Sequence, residues 1–456
     1  MDLEWPDLWT ELCESDDDEP TEKSDSNRVA CIFTLPYDII CEIFLALLDG
    51  EAPWRLRSHR APLLLTRICT NWRRTVLATP ALWARLEIRL HPPTKHRLLP
   101  DDFSQWITCV CPSPREIRFI GWATGREGEH MLAILRAHAS SLKSFSLRVG
   151  TLDPRFLKDE VDLPVLEYLD LGRIRSVRSQ PAGTGPHRLS AFQRLPALRE
   201  ASICSGPYAL AMPYGQLEAI TCEGLGLFPC LAVISHAPNL RQLDLLAIDS
   251  AGDPPTLPSN FPSTHENITH LTLSSSPSEL LTLIPNLRFP ALFSLSITAI
   301  DGYTPSISTF VTNSAASLHE LEFRTRLGSI PSLTPESLRP LTHLTSLSLH
   351  GLTAPTTLAL LHHFDLRLHP GPSFLPALYE LCIKQPTMVL DDAVVLALRS
   401  RYEATPDMSL VFVWQHAPRP APRYREEKID WVGLKELFLD GMDLELIDAV
   451  FEPVVA

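Results

Sequence analysis

One short pattern of hydrophobic positions recurs along most of the chain: an aliphatic residue, two variable residues, an aliphatic, one variable residue and an aliphatic. The run Leu166-Glu167-Tyr168-Leu169-Asp170-Leu171 is a clear copy. The alternation in its second half is typical of a strand, whose side chains point to opposite faces in turn. Strong copies begin at Leu142, Leu166, Leu198, Leu217, Leu240, Ile268, Leu292, Leu318, Leu344, Leu378 and Leu434, and weaker copies begin at Trp83, Pro114 and Asp407.

The spacing of these copies is regular. Intervals between successive strong copies are 24, 32, 19, 23, 28, 24, 26, 26, 34 and 56 residues, and the weak copy at Asp407 divides the last into 29 and 27. A single strand cannot bury its apolar face alone, whereas stacked neighbours can. The pattern therefore predicts stacked parallel strands, with helical connectors over 357–364 and 391–402. Runs such as Leu195-Pro196-Ala197 indicate a common turn before the strands, and ordinary sheet strands remain the alternative.

The segment before the repeats predicts short amphipathic helices. Pro36 suits a first helical turn, and Asp38 complements the positive end of the helix. Apolar residues then recur at helical spacing, namely Ile39, Ile40, Ile43, Phe44, Leu47 and Leu48. A second stretch places Leu65, Ile68, Cys69, Trp72 and Val76 on one face. Pieces this short cannot bury all their apolar surface among themselves, so part of it is expected to meet a partner. A plain hydrophobic core is the alternative.

These residues resemble an F-box, the adaptor-binding module of SCF-type ubiquitin ligases. The landmarks occur in order over roughly 29–90, as Leu35-Pro36, the helix from Ile39 to Leu48, Ile68-Cys69-Thr70-Asn71-Trp72, and Leu82-Trp83. The stretch 50–61 is longer than the usual turn. The resemblance implies that one set of residues docks a Skp-type adaptor or holds its docking face in shape: Leu35, Pro36, Ile39, Ile43, Phe44 and Trp72. Ile40, Leu47, Ile68 and Trp83 are expected to be interior.

The repeats are similar to leucine-rich repeats, whose period of 20–29 residues includes the value of about 26 found here. The regular Asn of that family is not consistently present, so the resemblance implies an irregular horseshoe with parallel strands. Its concave side would carry the third, fifth and seventh positions of each copy. Candidate substrate contacts are therefore Tyr168, Asp170, Asp244, Glu320, Glu322, His350, Glu380 and Glu436. This polar, mildly acidic surface suits a protein partner with basic residues, and a solvated sheet face without a ligand is the alternative.

Composition narrows the class of protein. The chain has 456 residues, 45% hydrophobic and 21% charged, which is typical of a globular protein. Its net charge of −14 argues against nucleic acid or an anionic membrane as the main partner. The first thirty residues are acidic rather than signal-like, and the ten cysteines are scattered without a CxxC pair. We expect a cytoplasmic or nuclear location.

The sequence carries no local signature of catalysis. It lacks GxSxG, HExxH and Walker-type motifs. The adjacent pair His362-His363 cannot present both rings on one helix face as metal ligands. Asp101-Asp102 and Asp391-Asp392 are interpreted as helix-start acids. We expect a protein that is not an enzyme, with no catalytic residue, metal or cofactor.

Together these patterns predict an α+β or α/β solenoid with three regions: an acidic disordered tail over 1–28, an all-helical F-box module over 29–90, and a leucine-rich-repeat-like solenoid over 91–456. The resemblances imply the substrate-recognition subunit of an SCF-type cullin ubiquitin ligase. It would bind a Skp-type adaptor, and through it a cullin scaffold, and hold an unknown protein substrate on its repeats. The alternative is a non-catalytic leucine-rich-repeat binding scaffold outside a ligase.

Overall fold

The structure is a computed structural model. It describes residues 35–49, 62–90, 107, 114–121, 125–149, 151–152, 161–172, 175–176, 187–204, 208–210, 212–225, 227–247, 264–275, 287–299, 305–325, 335–351, 354–365, 374–385, 392–406, 409–416, 431–440 and 442–450. The chain divides into two compact units, Met1–Pro213 (unit one) and Tyr214–Ala456 (unit two), which are described separately. The predicted tail over 1–28, the stretch 50–61 and Asp101-Asp102 lie outside the described residues.

Unit one begins with helices and continues with strands. Its helices are α1 (Tyr37–Asp49), α2 (Leu63–Thr66), α3 (Thr70–Ala78) and α4 (Gly125–Ala137), with a 3₁₀ helix over Pro80–Trp83. Its strands are β1 (Arg85–Leu90), β2 (Glu116–Gly121), β3 (Ser144–Val149), β4 (Thr151–Leu152), β5 (Tyr168–Leu171), β6 (Arg175–Ser176), β7 (His187–Leu189), β8 (Glu200–Cys204) and β9 (Tyr208–Leu210). The last six residues of the predicted helical module over 29–90 thus form a strand.

The main sheet of unit one is parallel, in the order β1-β2-β3-β5-β8. Two short parallel pairs, β4-β6 and β7-β9, accompany it. Gly121 ends β2 with φ of +117°, and a side chain there would run into the carbonyl of Leu90 on β1. Only glycine fits both the backbone angle and this close approach.

Unit two repeats one strand–connector unit. Its strands are β10 (Ala219–Glu223), β11 (Gln242–Leu246), β12 (His270–Ser275), β13 (Ser294–Ala299), β14 (Glu320–Thr325), β15 (Ser346–His350), β16 (Glu380–Gln385), β17 (Ser409–His416) and β18 (Asp443–Val450). They pair in chain order, every pair parallel. Its helices are α5 (Leu227–His236), α6 (Pro305–Asn313), α7 (Pro335–Leu338), α8 (Ala354–His362), α9 (Asp392–Ala404) and α10 (Trp431–Leu439). Parallel strands alternating with helices give an α/β solenoid-like arrangement.

The register repeats from turn to turn. Ten of the eleven strong sequence copies form strands, and each of these strands starts at the third position of its copy. The carbonyl at the second position of one copy accepts hydrogen bonds from the amides at the second and third positions of the next copy. For example, Phe293 O accepts from the amides of His319 and Glu320 at 2.9 and 3.0 Å. The turn predicted before the strands is also confirmed, because the amide of Leu198 donates to Leu195 O across Pro196-Ala197 at 3.2 Å.

The copy beginning at Leu434 is the exception. Residues 431–439 form helix α10, and the last strand is Asp443–Val450, so the prediction of a strand over 434–439 is wrong. The three weak copies at Trp83, Pro114 and Asp407 do contain strands. Both predicted connectors are helical, as α8 and α9, and the acidic residue in the first turn of α9 is Asp392.

Apolar positions of the copies form the core. Leu142, Phe145 and Leu147 of one turn are all fully buried, as are Leu344, Leu347 and Leu349 of another. A buried cation lies in this core: Arg401 on α9 is 1% exposed and donates from Nη2 to the carbonyls of Leu375, Pro376 and Leu378 at 2.6, 3.4 and 3.5 Å. Burial lowers the pKa of Arg401. Within the described part of the chain, the helices are too short or too polar to cross a membrane.

Candidate functional site

Helix α1 carries two apolar rows that differ by one residue in phase. The inner row is Ile40, Phe44 and Leu48, which are 3%, 0% and 2% exposed. The outer row is Ile39, Ile43 and Leu47, of which Ile39 and Leu47 are 47% and 54% exposed and Ile43 is half-buried. Because residues four apart lie on one helix face, the two rows are adjacent stripes. The inner row packs into unit one, and the outer row faces away from it.

The inner row is held by specific contacts. The rings of Phe44 and Trp72 meet edge to face, with centroids 4.8 Å apart, a favourable aromatic arrangement. The Tyr37 hydroxyl lies 3.0 Å from Thr79 Oγ1, which itself donates to the Thr75 carbonyl at 2.7 Å. These contacts join the start of α1 to the end of α3 and fix which side of α1 is outward.

The α2–α3 connection exposes further apolar side chains. Cys69 is extended and acts as the N-cap of α3, its Sγ accepting from the Trp72 amide at 3.4 Å. The helix is therefore broken at 67–69 rather than continuous, and Ile68 is 49% exposed and Leu64 43% exposed. Of the eleven large hydrophobic residues found exposed in the described part of the chain, six lie between Tyr37 and Leu77. Exposed apolar surface is thus concentrated in the helical segment.

The predicted docking residues divide into two groups. Leu35 and Ile43 are half-buried, and Pro36 and Ile39 are exposed, so these four can contact a partner. Phe44 and Trp72 are buried and can only support the face. The interior prediction is confirmed for Ile40 and Trp83 but is wrong for Leu47 and Ile68: Leu47 belongs to the outer row, and the helix break turns Ile68 to the surface. Leu47 lies four residues after Ile43 and one before the buried Leu48. This spacing, visible in the sequence, could have identified Leu47 as an outer-row residue.

The polar face of the unit-one sheet is largely neutralised by its own ion pairs. Asp170 on β5 is 2% exposed and accepts from Ser146 Oγ at 2.8 Å and from Arg148 Nε at 2.7 Å. The hydrogen bond that Arg148 donates to Asp170 is the main cause that raises the pKa of Arg148. Tyr168 is half-buried, and burial raises its pKa. Asp170 therefore serves the fold and leaves almost no surface for the substrate contact predicted for it.

The corresponding face of unit two carries a cluster around Glu322 on β14. Its carboxylate accepts from Ser296 Oγ at 2.8 Å and from Arg324 Nε at 2.8 Å, and lies 3.4 Å from His350 Nε2. Burial raises the pKa of Glu322, but the hydrogen bonds from Ser296 and Arg324 outweigh it, and the net shift is downward. Burial, together with the charges of Lys384 and Arg324, lowers the pKa of His350 to about 4. His350 is thus a neutral imidazole at neutral pH.

The remaining predicted substrate contacts differ in exposure, in hydrogen bonding and in the element that carries them. Glu320 is exposed on β14 and Glu380 half-buried on β16. Asp244 is half-buried on β11 and accepts from Thr221 and Gln242 at 3.2 and 3.1 Å. Glu436 lies on helix α10, where it pairs with Arg399 at 2.8 Å, and therefore does not belong to the series of strand positions.

Among the described residues, no cluster of three His, Cys, Asp or Glu side chains is placed to hold a metal ion. No disulfide joins two cysteines of the described residues. No family model matches the chain, and no curated protein matches its sequence.

Proposed function

We propose that this chain is the substrate-recognition subunit of an SCF-type cullin ubiquitin ligase. The helical segment of unit one would dock a Skp-type adaptor, and through it a cullin scaffold, by its outer row. The parallel sheets would hold a protein substrate. Such a receptor makes or breaks no bond itself: it raises the effective concentration of substrate lysines near the transferring enzyme.

One observation carries this proposal, namely the outer row of α1. A helix that only completes a core needs one apolar stripe, whereas α1 has a second, with Ile39 and Leu47 about half exposed. Of the F-box landmarks in the sequence, the stretch from Ile39 to Leu48 lies on this helix, and Leu35-Pro36 directly precedes it. Leu35 and Pro36, at its beginning, are accessible as that resemblance requires.

The test is binding to a purified Skp-type adaptor by isothermal titration calorimetry. The test variant is Ile39→Asp/Leu47→Asp, which changes only half-exposed side chains. The matched control is Leu396→Asp, because Leu396 on α9 is 41% exposed and lies in unit two. We expect stoichiometric binding by the wild type and the control and none by the double variant, with unchanged circular dichroism. Absence of wild-type binding would refute the adaptor role.

Ubiquitin transfer separates the ligase from its alternative, a binding scaffold outside a ligase. If the chain is a ligase receptor, a reconstituted complex of adaptor, cullin and this chain should transfer ubiquitin to the protein bound on its sheets. The Ile39→Asp/Leu47→Asp variant should abolish that modification without altering substrate binding to the sheets. Adaptor binding without any transfer to a bound protein would favour the scaffold.

A further inference from the structure

Strand β15 forms the floor of a shallow trough on the polar face of unit two. Its outward side chains are Ser346, Ser348 and His350, since Leu347 and Leu349 between them are fully buried. The parallel register places longer side chains on both sides of Ser346, and on the Glu322 side of Ser348. The rows read Glu320–Ser346–Glu380, then Glu322–Ser348–Cys382, then Arg324–His350–Lys384. We call the channel along these three rows the β15 trough.

The two ends of the β15 trough carry opposite charges. Glu320 and Glu380 flank the end where the strands begin, and Arg324 and Lys384 flank the other. Glu322 in the middle row is bound by Ser296 and Arg324, so the charges of Glu322 and Arg324 largely compensate each other, and Lys384 carries most of the positive charge at the basic end. Four residues separate the charged ends, which corresponds to about 13 Å along a strand.

The basic end contains a histidine that adds no charge of its own. His350 Nε2 lies 3.0 Å from Ser348 Oγ, and the His350 side chain is 15% exposed. The strand register places Arg324 on one side of His350 and Lys384 on the other. Burial, together with the charges of these two residues, lowers the pKa of His350. A carboxylate placed there would meet Lys384 and a neutral imidazole, while Arg324 is already paired with Glu322.

The width of the trough selects the shape of its occupant. Strands β14 and β16 lie two strand spacings apart, or about 10 Å between backbones. A helix with its side chains is itself 10–12 Å across, so it would rest on the walls instead of entering. A single extended chain is narrow enough to lie between the walls along β15.

We propose, building on the substrate-receptor function above, that the β15 trough binds an extended peptide segment with a basic and an acidic residue four positions apart. The basic side chain pairs with Glu320 and Glu380, and the acidic one pairs with Lys384. Short hydroxyl side chains of Ser346 and Ser348 leave room for the backbone between them. Paired complementary charges fix the position of the segment along the strand.

The test selects from a phage-displayed library of random peptides of about twelve residues, long enough to span the trough with flanks. The full chain is the target, beside three variants. Glu320→Gln/Glu380→Gln removes the acidic end, Lys384→Glu reverses one cation of the basic end, and Glu403→Gln is a control at an exposed position on α9.

The wild type and the control should enrich peptides with basic and acidic residues four apart. Glu320→Gln/Glu380→Gln should lose only the basic preference, and Lys384→Glu only the acidic one. The best synthetic peptide should bind each trough variant about tenfold more weakly in fluorescence anisotropy. No such spacing, or the same peptides from every variant, would overturn the proposal. Adaptor binding is measured on the same proteins, so its failure would count against the ligase role alone.

Discussion

Neighbouring isoleucines on α1 offer a matched pair for separating fold from binding. Ile40 is 3% exposed and Ile39 is 47% exposed, yet both are helical and differ by one position. Truncation to alanine removes the same atoms from each and leaves a good helix former. We expect Ile40→Ala to damage the fold and Ile39→Ala to damage adaptor binding.

The magnitudes follow from the burial. Losing three buried carbons at about 0.8 kcal/mol each, plus the cavity left behind, gives about 3 kcal/mol for Ile40→Ala. Ile39 buries about half its side chain, so its truncation should cost about 1 kcal/mol of stability. In the complex, covering the exposed half of Ile39 should contribute about 1–2 kcal/mol, or roughly five- to thirtyfold in Kd.

Hydrogen–deuterium exchange followed by mass spectrometry measures the local stability of the helical segment that contains α1. Isothermal titration calorimetry measures its binding to the adaptor. Exchange over α1 and α3 should accelerate strongly in Ile40→Ala and only slightly in Ile39→Ala. The affinity loss should be seen in Ile39→Ala with its exchange near normal. Equal acceleration in the two variants would refute the assignment of inner and outer rows. Normal affinity in Ile39→Ala would remove the outer row from the interface.

Three further predictions concern the fold. Arg401→Met should destabilise unit two by about 2–4 kcal/mol in urea, because it leaves buried carbonyls without their donor; a loss below about 1 kcal/mol would contradict this. Gly121→Ala should cost at least about 2 kcal/mol, while Gly215→Ala, where a Cβ would meet nothing within 4 Å, should be nearly neutral. The folded pKa of His350, about 4, lies below the unfolded value of 6.5. Stability should therefore fall as pH drops from 6.5 towards 4, and His350→Gln should flatten that part of the urea-measured profile.

Much of the sheet was predictable because each turn uses the same three apolar positions. The exception at Leu434 shows why the apolar pattern alone does not distinguish a strand from a helix. Leu434 and Leu437 are three apart, a spacing that also suits one face of a helix. In a strand, Leu437 and Leu439 would both point inward, but Leu437 is fully buried and Leu439 is 70% exposed. The true last strand starts at Asp443, where Gly441 occupies the first aliphatic position of the pattern and hides the copy.

The candidate surfaces were less predictable, because they depend on neighbours that the sequence does not display. The strand position of Asp170 predicts a surface acid, yet Ser146 and Arg148 on the neighbouring strand β3 enclose it. The same alternation correctly placed Glu320 on the outside. Which polar residue on a sheet face remains available is decided by cross-strand pairing, and that pairing requires the register between distant segments.

The size of the outer row sets a condition on the adaptor interface. Fully burying an aliphatic side chain contributes about 1.5–3 kcal/mol, so covering the exposed halves of Ile39 and Leu47 contributes about 1.5–3 kcal/mol together, and the less exposed Ile43 adds less. Association itself costs an estimated 4–15 kcal/mol in lost freedom of motion. The outer row alone therefore cannot hold an adaptor stably. The half-exposed Leu64 and Ile68 and the accessible Pro36 supply further contact area in the same unit. If the adaptor binds here, its interface must extend from α1 onto the α2–α3 connection.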